Sequence, residues 1–167
     1  MTDLHAVFEA GRVMRWHTNP RVVDTNDRND GHSARVARII LSLWPDATLQ
    51  TLRAALKHDD GEKSVADVSG NIKEANPSLA AMVGVLEMQA RIDMWSFEEN
   101  TLDREAAQLR LADRLDAYQW VKYYRPEHLR EQDWPQRAQW LLHEASRLGV
   151  REQVARVVKL TGQEGRA

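Results

Sequence analysis

Apolar residues recur at three- and four-residue intervals along nearly the whole chain, and no stretch alternates with the period of two that marks a half-buried strand. Val7, Gly11 and Met14 predict a first helix of about ten residues. Val36, Ile39, Ile40 and Leu43 share one face of a second, over about residues 31–43, stopped by Trp44-Pro45-Asp46. Thr48 is a good N-cap for a third, from Leu49 to about His58, with Leu52, Ala55 and Leu56 on its buried side. Asp60-Gly61 breaks that helix, Glu62 to Ala66 can form a single turn, and Ser69-Gly70-Asn71 is a second break. Helical spacing returns from Pro77 to about Met94, from Leu102 to Tyr124, from Pro135 to Leu148 and from Arg151 to Leu160. Residues 162–167 are expected to fray. The polar stretch from Arg15 to Asn29 is long for a loop in a compact domain, and such loops often carry function. The expectation is an all-α fold, one domain over residues 1–167 with about seven to nine helices.

Composition narrows the class without naming a function. With 167 residues, 43% hydrophobic and 29% charged, the chain can bury one substantial core. A net charge of −2 gives no global field for nucleic acid or an anionic membrane, so an anionic ligand must be held by local cations. The absence of cysteine removes thiolate metal sites, disulfides and cysteine nucleophiles. Residues 1–12 are amphipathic and carry Asp3 and Glu9, unlike a signal peptide, and no apolar run approaches the roughly 18–20 residues of a membrane span. A cytoplasmic protein is expected.

Chemistry-bearing residues gather at helix boundaries. His32 lies in the first turn of the second helix, the doublet His58-Asp59 ends the third, and Asp113 stands near the middle of the long helix before Pro126. Side chains at a helix end project at different angles, so both members of the doublet can reach one ion. Two imidazoles and two carboxylates suit a borderline divalent metal such as Zn, Co, Mn or Fe. A lone histidine is more often a packed or surface residue; the doublet and its two distant companions carry the metal reading together.

The order His32, His58-Asp59, Asp113 resembles the HD-domain metal phosphohydrolases. The segments around Gly31-His32-Ser33-Ala34-Arg35-Val36-Ala37, Ala54-Ala55-Leu56-Lys57-His58-Asp59-Asp60-Gly61-Glu62 and Leu111-Ala112-Asp113-Arg114-Leu115-Asp116-Ala117-Tyr118 look like that family's three ligand-bearing helices. Arg15-Trp16, Glu62, Asp67 and Lys73 look like those of its small deoxynucleotide-hydrolysing subgroup, the bacterial 5'-deoxynucleotidases and phage dATP triphosphohydrolases. The match covers roughly residues 12–125.

The resemblance implies a compact helical bundle that hydrolyses deoxynucleoside 5'-phosphates with a bound divalent metal, and a second, Mg-type ion where the substrate is a polyphosphate. It implies proton transfer by Glu62, phosphate clamping by Arg15 and Lys73, and nucleoside contacts from Trp16 and Asp67. Each residue has a plainer alternative. Glu62 can be a solvated helix-start carboxylate, Trp16 a core cap, Asp67 a turn cap, and Asp116 a support for a metal ligand or one half of a surface ion pair. Lys63 and Arg114 are further candidate cations near the ligand positions. The turn before Lys73 reads Val68-Ser69-Gly70-Asn71-Ile72, where many relatives have prolines. Two or three cations beside a metal favour a dNTP, dATP first, over a dNMP. A non-catalytic nucleotide-binding or interaction module is the alternative from another class. A homo-oligomer is expected, with the surface around Trp134 and Trp140 as its contact.

Overall fold

The computed structural model describes residues 1–97, 101–131 and 133–159. Nine α-helices and two short 3-10 turns build these residues, with no β-strand among them; one isolated antiparallel bridge pairs Met14 with Arg28. The helices are α1 (Leu4–Gly11), α2 (Asn29–Leu43), α3 (Leu49–Lys57), α4 (Glu62–Val65), α5 (Gly70–Ala75), α6 (Pro77–Trp95), α7 (Asp103–Tyr124), α8 (Trp134–Arg147) and α9 (Arg151–Val158). The all-α expectation holds. The expected frayed tail, residues 162–167, lies outside the described residues. Among the described residues no helix is long and apolar enough to cross a membrane.

Local chemistry sets the boundaries. Asp3 caps α1 by accepting the backbone N–H groups of His5 and Ala6, each at 3.0 Å. The helix stops at Gly11, short of Met14, because Met14 is taken into the bridge with Arg28. Thr48 caps α3 through Thr51 N at 3.1 Å, as its position predicted. At the start of α7, Glu105 Oε2 accepts Leu102 N at 2.9 Å, while Oε1 accepts the Thr48 and Thr51 hydroxyls, tying the two helix starts together. Two boundaries differ from the expectation. α2 begins at Asn29, inside what reads as loop, and Ser69-Gly70-Asn71 opens α5 with the Ser69 carbonyl accepting Ile72 N and Lys73 N.

The core lies where α2 and α7 cross, with α3 on one side and α8 and α9 closing the other. Val36 and Ile40 meet Leu111, Leu115 and Tyr118, and Leu141, Ala145 and Val154 complete the cluster. Each large aliphatic side chain buried there contributes about 1.5–3 kcal/mol. Tyr118 reaches through it to donate its hydroxyl to the Val158 carbonyl at 3.2 Å, so the aromatic buries no unpaired polar atom. Leu56, expected inside, faces solvent; Ala54 and Ala55 make the buried stripe of α3. Trp134 is buried in the core and Trp140 is half-buried against it. Trp134 is buried 6.2 Å from Tyr118 and 6.4 Å from Trp16, and Arg114 covers the Trp140 ring at 4.2 Å. α6 stands apart from this core: Val83 and Met94 are its buried residues, Met94 in a small cluster with Ala6 and Ala10 of α1.

Candidate metal centre

His32, His58, Asp59 and Asp113 converge although they come from three separate parts of the chain. His32 is in the first turn of α2, wholly buried beneath α7; His58 and Asp59 follow the end of α3; Asp113 is on α7. His32 Nε2 lies 3.2 Å from His58 Nε2, 3.3 Å from Asp59 Oδ2 and 3.1 Å from Asp113 Oδ1. His58 Nε2 lies 3.4 Å from Asp59 Oδ1 and 3.9 Å from Asp113 Oδ1. Ligand atoms bound to a common ion at about 2.0–2.2 Å sit roughly 3 to 4 Å apart. Of these four, His32, His58 and Asp59 each offer a ligand atom within 4.8 Å of the others, so that group could hold one divalent cation, with Asp113 beside it.

What stands behind the ligands fixes which atoms they present. His32 Nδ1 is 2.7 Å from Asp116 Oδ2, and His58 Nδ1 is 2.8 Å from the Ala55 carbonyl. Both partners are acceptors, so each Nδ1 carries the proton and each neutral ring offers its Nε2 lone pair to the centre. Two such lone pairs facing each other at 3.2 Å, flanked by two carboxylates, require a proton or a cation between them. Asp116 is itself held by Arg35, with Nε to Oδ1 at 2.8 Å and Nη2 to Oδ2 at 3.0 Å, and Arg35 also grips Asp27 at 2.7 Å. Asp116 is thus the support of His32 rather than a surface charge.

The charges answer to this arrangement. Burial and nearby Arg15 lower the His32 pKa, but the carboxylates of Asp113, Asp116 and Asp59 outweigh both and raise it to about 10. His58 is raised as well: burial opposes its charged form, and Asp59 and Asp113 overcome that. Burial works against ionised Asp59 and Asp113, yet the two histidines hold both carboxyls below the usual range. Without an ion the centre holds its charge with protons that an ion would replace.

A cleft of about 300 Å³ opens from Asp59 and Asp113 and is lined by Arg15, Trp16, Glu62, Asp67, Lys73 and Arg114, among others. A compartment of about 280 Å³ continues past Arg114 to Arg137, Trp134 and Trp140. A larger groove, about 690 Å³, lies across α7 along Arg38, Trp120 and Tyr124 and includes none of the four converging residues. The smaller cleft is the one that meets Asp59, Asp113 and Glu62.

Glu62 starts α4 and is buried at the cleft, its Oε2 accepting from Asn29 Nδ2 at 3.0 Å. Burial and the charges of Asp59 and Asp67 push it up to about 9. The same Asn29 amide also donates to the Asp59 carbonyl at 3.1 Å, fixing Glu62 against the ligand turn. The solvated-carboxylate alternative is excluded by this burial. Arg15 is nearly covered, with Asp27, Asp113 and Asp116 at 3.5, 4.0 and 3.7 Å and its Nη1 donor left without a hydrogen bond.

The other candidate residues have these partners. Lys73 lines the cleft, but its Nζ is tied to Glu87 Oε1 of α6 at 2.9 Å. Lys63 turns away to Glu9 of α1 at 2.7 Å, because α4 is a single turn that points its second residue outward. Asp67 caps no turn here: its Oδ2 accepts Trp16 N at 3.1 Å and anchors the Arg15-Trp16 segment. Trp16 is a cleft wall packed on the main core, its Nε1 bonded to Asp27 at 3.1 Å and its backbone left-handed at φ 63°. Asn29, Asp27, Glu87 and Arg137 were missed by the sequence reading. For Asn29 a signal existed: it stands three residues before His32, one helical turn away on the same face.

Comparison with protein-family models, with curated proteins and with solved structures gave no match.

Proposed function

We infer that the chain is a metal-dependent phosphohydrolase of the HD-domain kind, acting on deoxynucleoside 5'-phosphates. The observation that carries this reading is the convergence of two oriented histidine Nε2 atoms and two carboxylates at 3.1–3.9 Å on the floor of a cleft that also holds Glu62 and Arg15. A divalent metal held by His32, His58, Asp59 and Asp113 would polarise a phosphoryl oxygen and supply a more acidic water. Glu62, buried and carrying a proton near neutral pH, is placed to pass that proton to a leaving oxygen or to exchange it with the attacking water. Arg15 neutralises charge building on the phosphoryl oxygens, which is the main electrostatic demand of such a reaction. Trp16, Asp67 and Trp134 wall the space for the nucleoside.

Two phosphate chains are in question, and each has an observation behind it. Arg114 and Arg137, paired with Glu74 at 3.6 Å and Asp133 at 2.6 Å, extend the cleft beyond Lys73, which suits a dNTP. The pairing of Lys73 with Glu87 and the three carboxylates around Arg15 leave less positive charge near the centre, which suits a dNMP. The dNTP reading is preferred because the continuing compartment gives a polyphosphate somewhere to lie. Hydrolysis at the 5' ester would add water across the P–O bond and release the deoxynucleoside with its phosphate chain. Metal-loaded protein incubated with dATP, the other dNTPs and the dNMPs, with products separated by chromatography, tests this. Deoxyadenosine formed from dATP is the expected product. Cleavage of dNMPs with dNTPs intact moves the assignment to a 5'-deoxynucleotidase, and no turnover of any of them under any of the four metals leaves a binding module.

A further inference from the structure

α6 is built inside out. Between Pro77 and Gln89 its one charged residue is Glu87, and Glu87 turns inward to Lys73 at 2.9 Å. Arg91, one turn on, also turns inward and donates to the His58 carbonyl at 3.2 Å. The outward side carries Met82, Val85 and Leu86, which are 65, 59 and 52% exposed, together with exposed Leu79 and Met88 and Ile72 of the adjoining α5. A helix on the surface of a domain ordinarily shows water its polar stripe and the core its apolar one. Over Ser78–Arg91 apolar side chains face out while Glu87 and Arg91 face in; Asp93, in the last turn, is the exposed charge of the helix.

The size of the patch says what kind of cover it needs. The six side chains leave on the order of 500 Å² of apolar surface open, at the upper end of what a monomer shows. A standard interface buries about 800 Å² per partner, a little over half of it apolar. The patch therefore matches the apolar share of one complete interface. Its chemistry points to a second copy of this chain. The stretch Ser78–Gln89 presents no outward charge, so it offers nothing to pair with a charged partner and nothing to repel itself across a twofold axis. Gly84 lies in the middle of the helix with none of the described residues within 4 Å of the position a Cβ would take. Glycine lowers helix stability there without serving any contact inside the chain, whereas close approach of another backbone would use it.

We propose that the outer face of α6, with Ile72 of α5, is the interface of a twofold-symmetric dimer of this chain in which the two α6 helices cross near Gly84. Light scattering and sedimentation of the full chain from about 1 to 100 µM give the mass. The wild type is expected at twice the 19.2 kDa monomer, and the double variant Met82→Glu, Leu86→Glu at the monomer mass with unchanged helix content by circular dichroism. Because the chain has no cysteine, single-cysteine variants report the geometry cleanly. Gly84→Cys should form a disulfide-linked dimer on mild oxidation, and Gln139→Cys on the exposed side of α8 should not. A wild type that stays monomeric at the highest concentration overturns the proposal, and binding of a hydrophobic dye to that monomer, lost in the double variant, would assign the face to a different partner. A dimer that survives the double variant, or that Gln139→Cys traps in place of Gly84→Cys, overturns it too. None of these outcomes bears on whether the metal centre hydrolyses phosphate esters.

Discussion

Replacing Asp116 by Asn should cost metal affinity without touching a ligand. Asp116 accepts three donors: His32 Nδ1 at 2.7 Å and the Arg35 Nε and Nη2 at 2.8 and 3.0 Å. An asparagine has the same shape and one accepting oxygen. If that oxygen faces His32, the new amide hydrogens meet the Arg35 donors; if it faces Arg35, the amide meets His32 and pushes its proton to Nε2, closing the ligand atom. Loss of such a support typically weakens metal binding about 10- to 100-fold, which is about 1.4–2.7 kcal/mol. The metal-free protein should also lose stability, in a pH-dependent way. His32 is raised from 6.5 to about 10, so its paired charge contributes stability fully present below pH 6.5 and lost as pH climbs through 10. Asp116 is one source of that rise, and the difference in melting temperature between wild type and variant in a chelator should therefore shrink from pH 6 to pH 10. Competition with a chromophoric chelator gives the metal Kd. A variant Kd within twofold of wild type would refute the claim that Asp116 holds His32 for an ion.

Glu62→Gln keeps the bond from Asn29 and removes the exchangeable proton, so kcat should fall about 10²–10⁴ while metal content by elemental analysis stays unchanged; an unaltered kcat makes Glu62 structural. Arg15→Ala should lower kcat more than it raises KM, since the clamp acts on charge that grows in the transition state. Trp16→Ala should raise KM and also lower the melting temperature, because the ring packs on the main core and bonds Asp27; a variant with wild-type melting and kinetics would remove Trp16 from the cleft wall. Metal uptake near pH 7 should release protons, because His32 is raised to about 10 and His58 is raised as well. Titration calorimetry in buffers of different ionisation heat would reveal this, and a heat independent of buffer would show that the histidines are already neutral.

The sequence made the four converging residues legible because three of them sit at helix ends, where breakers such as Asp60-Gly61 mark the position without any fold. It made α2, α3 and α7 legible because their apolar stripes have one face each. α6 resisted the same reading: it is apolar on both sides, so periodicity gives a helix but not the face that is covered. The roles of Asp67, Asp27 and Glu87 depend on partners 8 to 51 residues away, as in Arg35 to Asp27, Lys73 to Glu87 and Trp16 to Asp67, and no local pattern announces them. The same holds for Lys63, whose direction was decided by the shortness of α4. Polar composition misled at Asn29-Asp30-Gly31, where turn-forming residues serve instead as the first turn of a helix and a buried amide.

The segment from His58 to Glu62 carries two of the four converging residues and the buried Glu62 carboxyl, yet it has almost no regular structure of its own. Its rigidity is borrowed from α6. Arg91 holds the His58 carbonyl, Trp95 Nε1 donates to Asp60 Oδ2 at 2.8 Å, and a Cβ at Gly61 would lie 2.3 Å from the Glu87 carbonyl oxygen, so only glycine lets the two backbones touch. Local opening of this segment and of α6 must then be one event. The amides of residues 60–64 should exchange with solvent at the pace of α6 and not at that of the buried core helices, and whatever steadies α6 from outside sets how long the ligand turn keeps its shape.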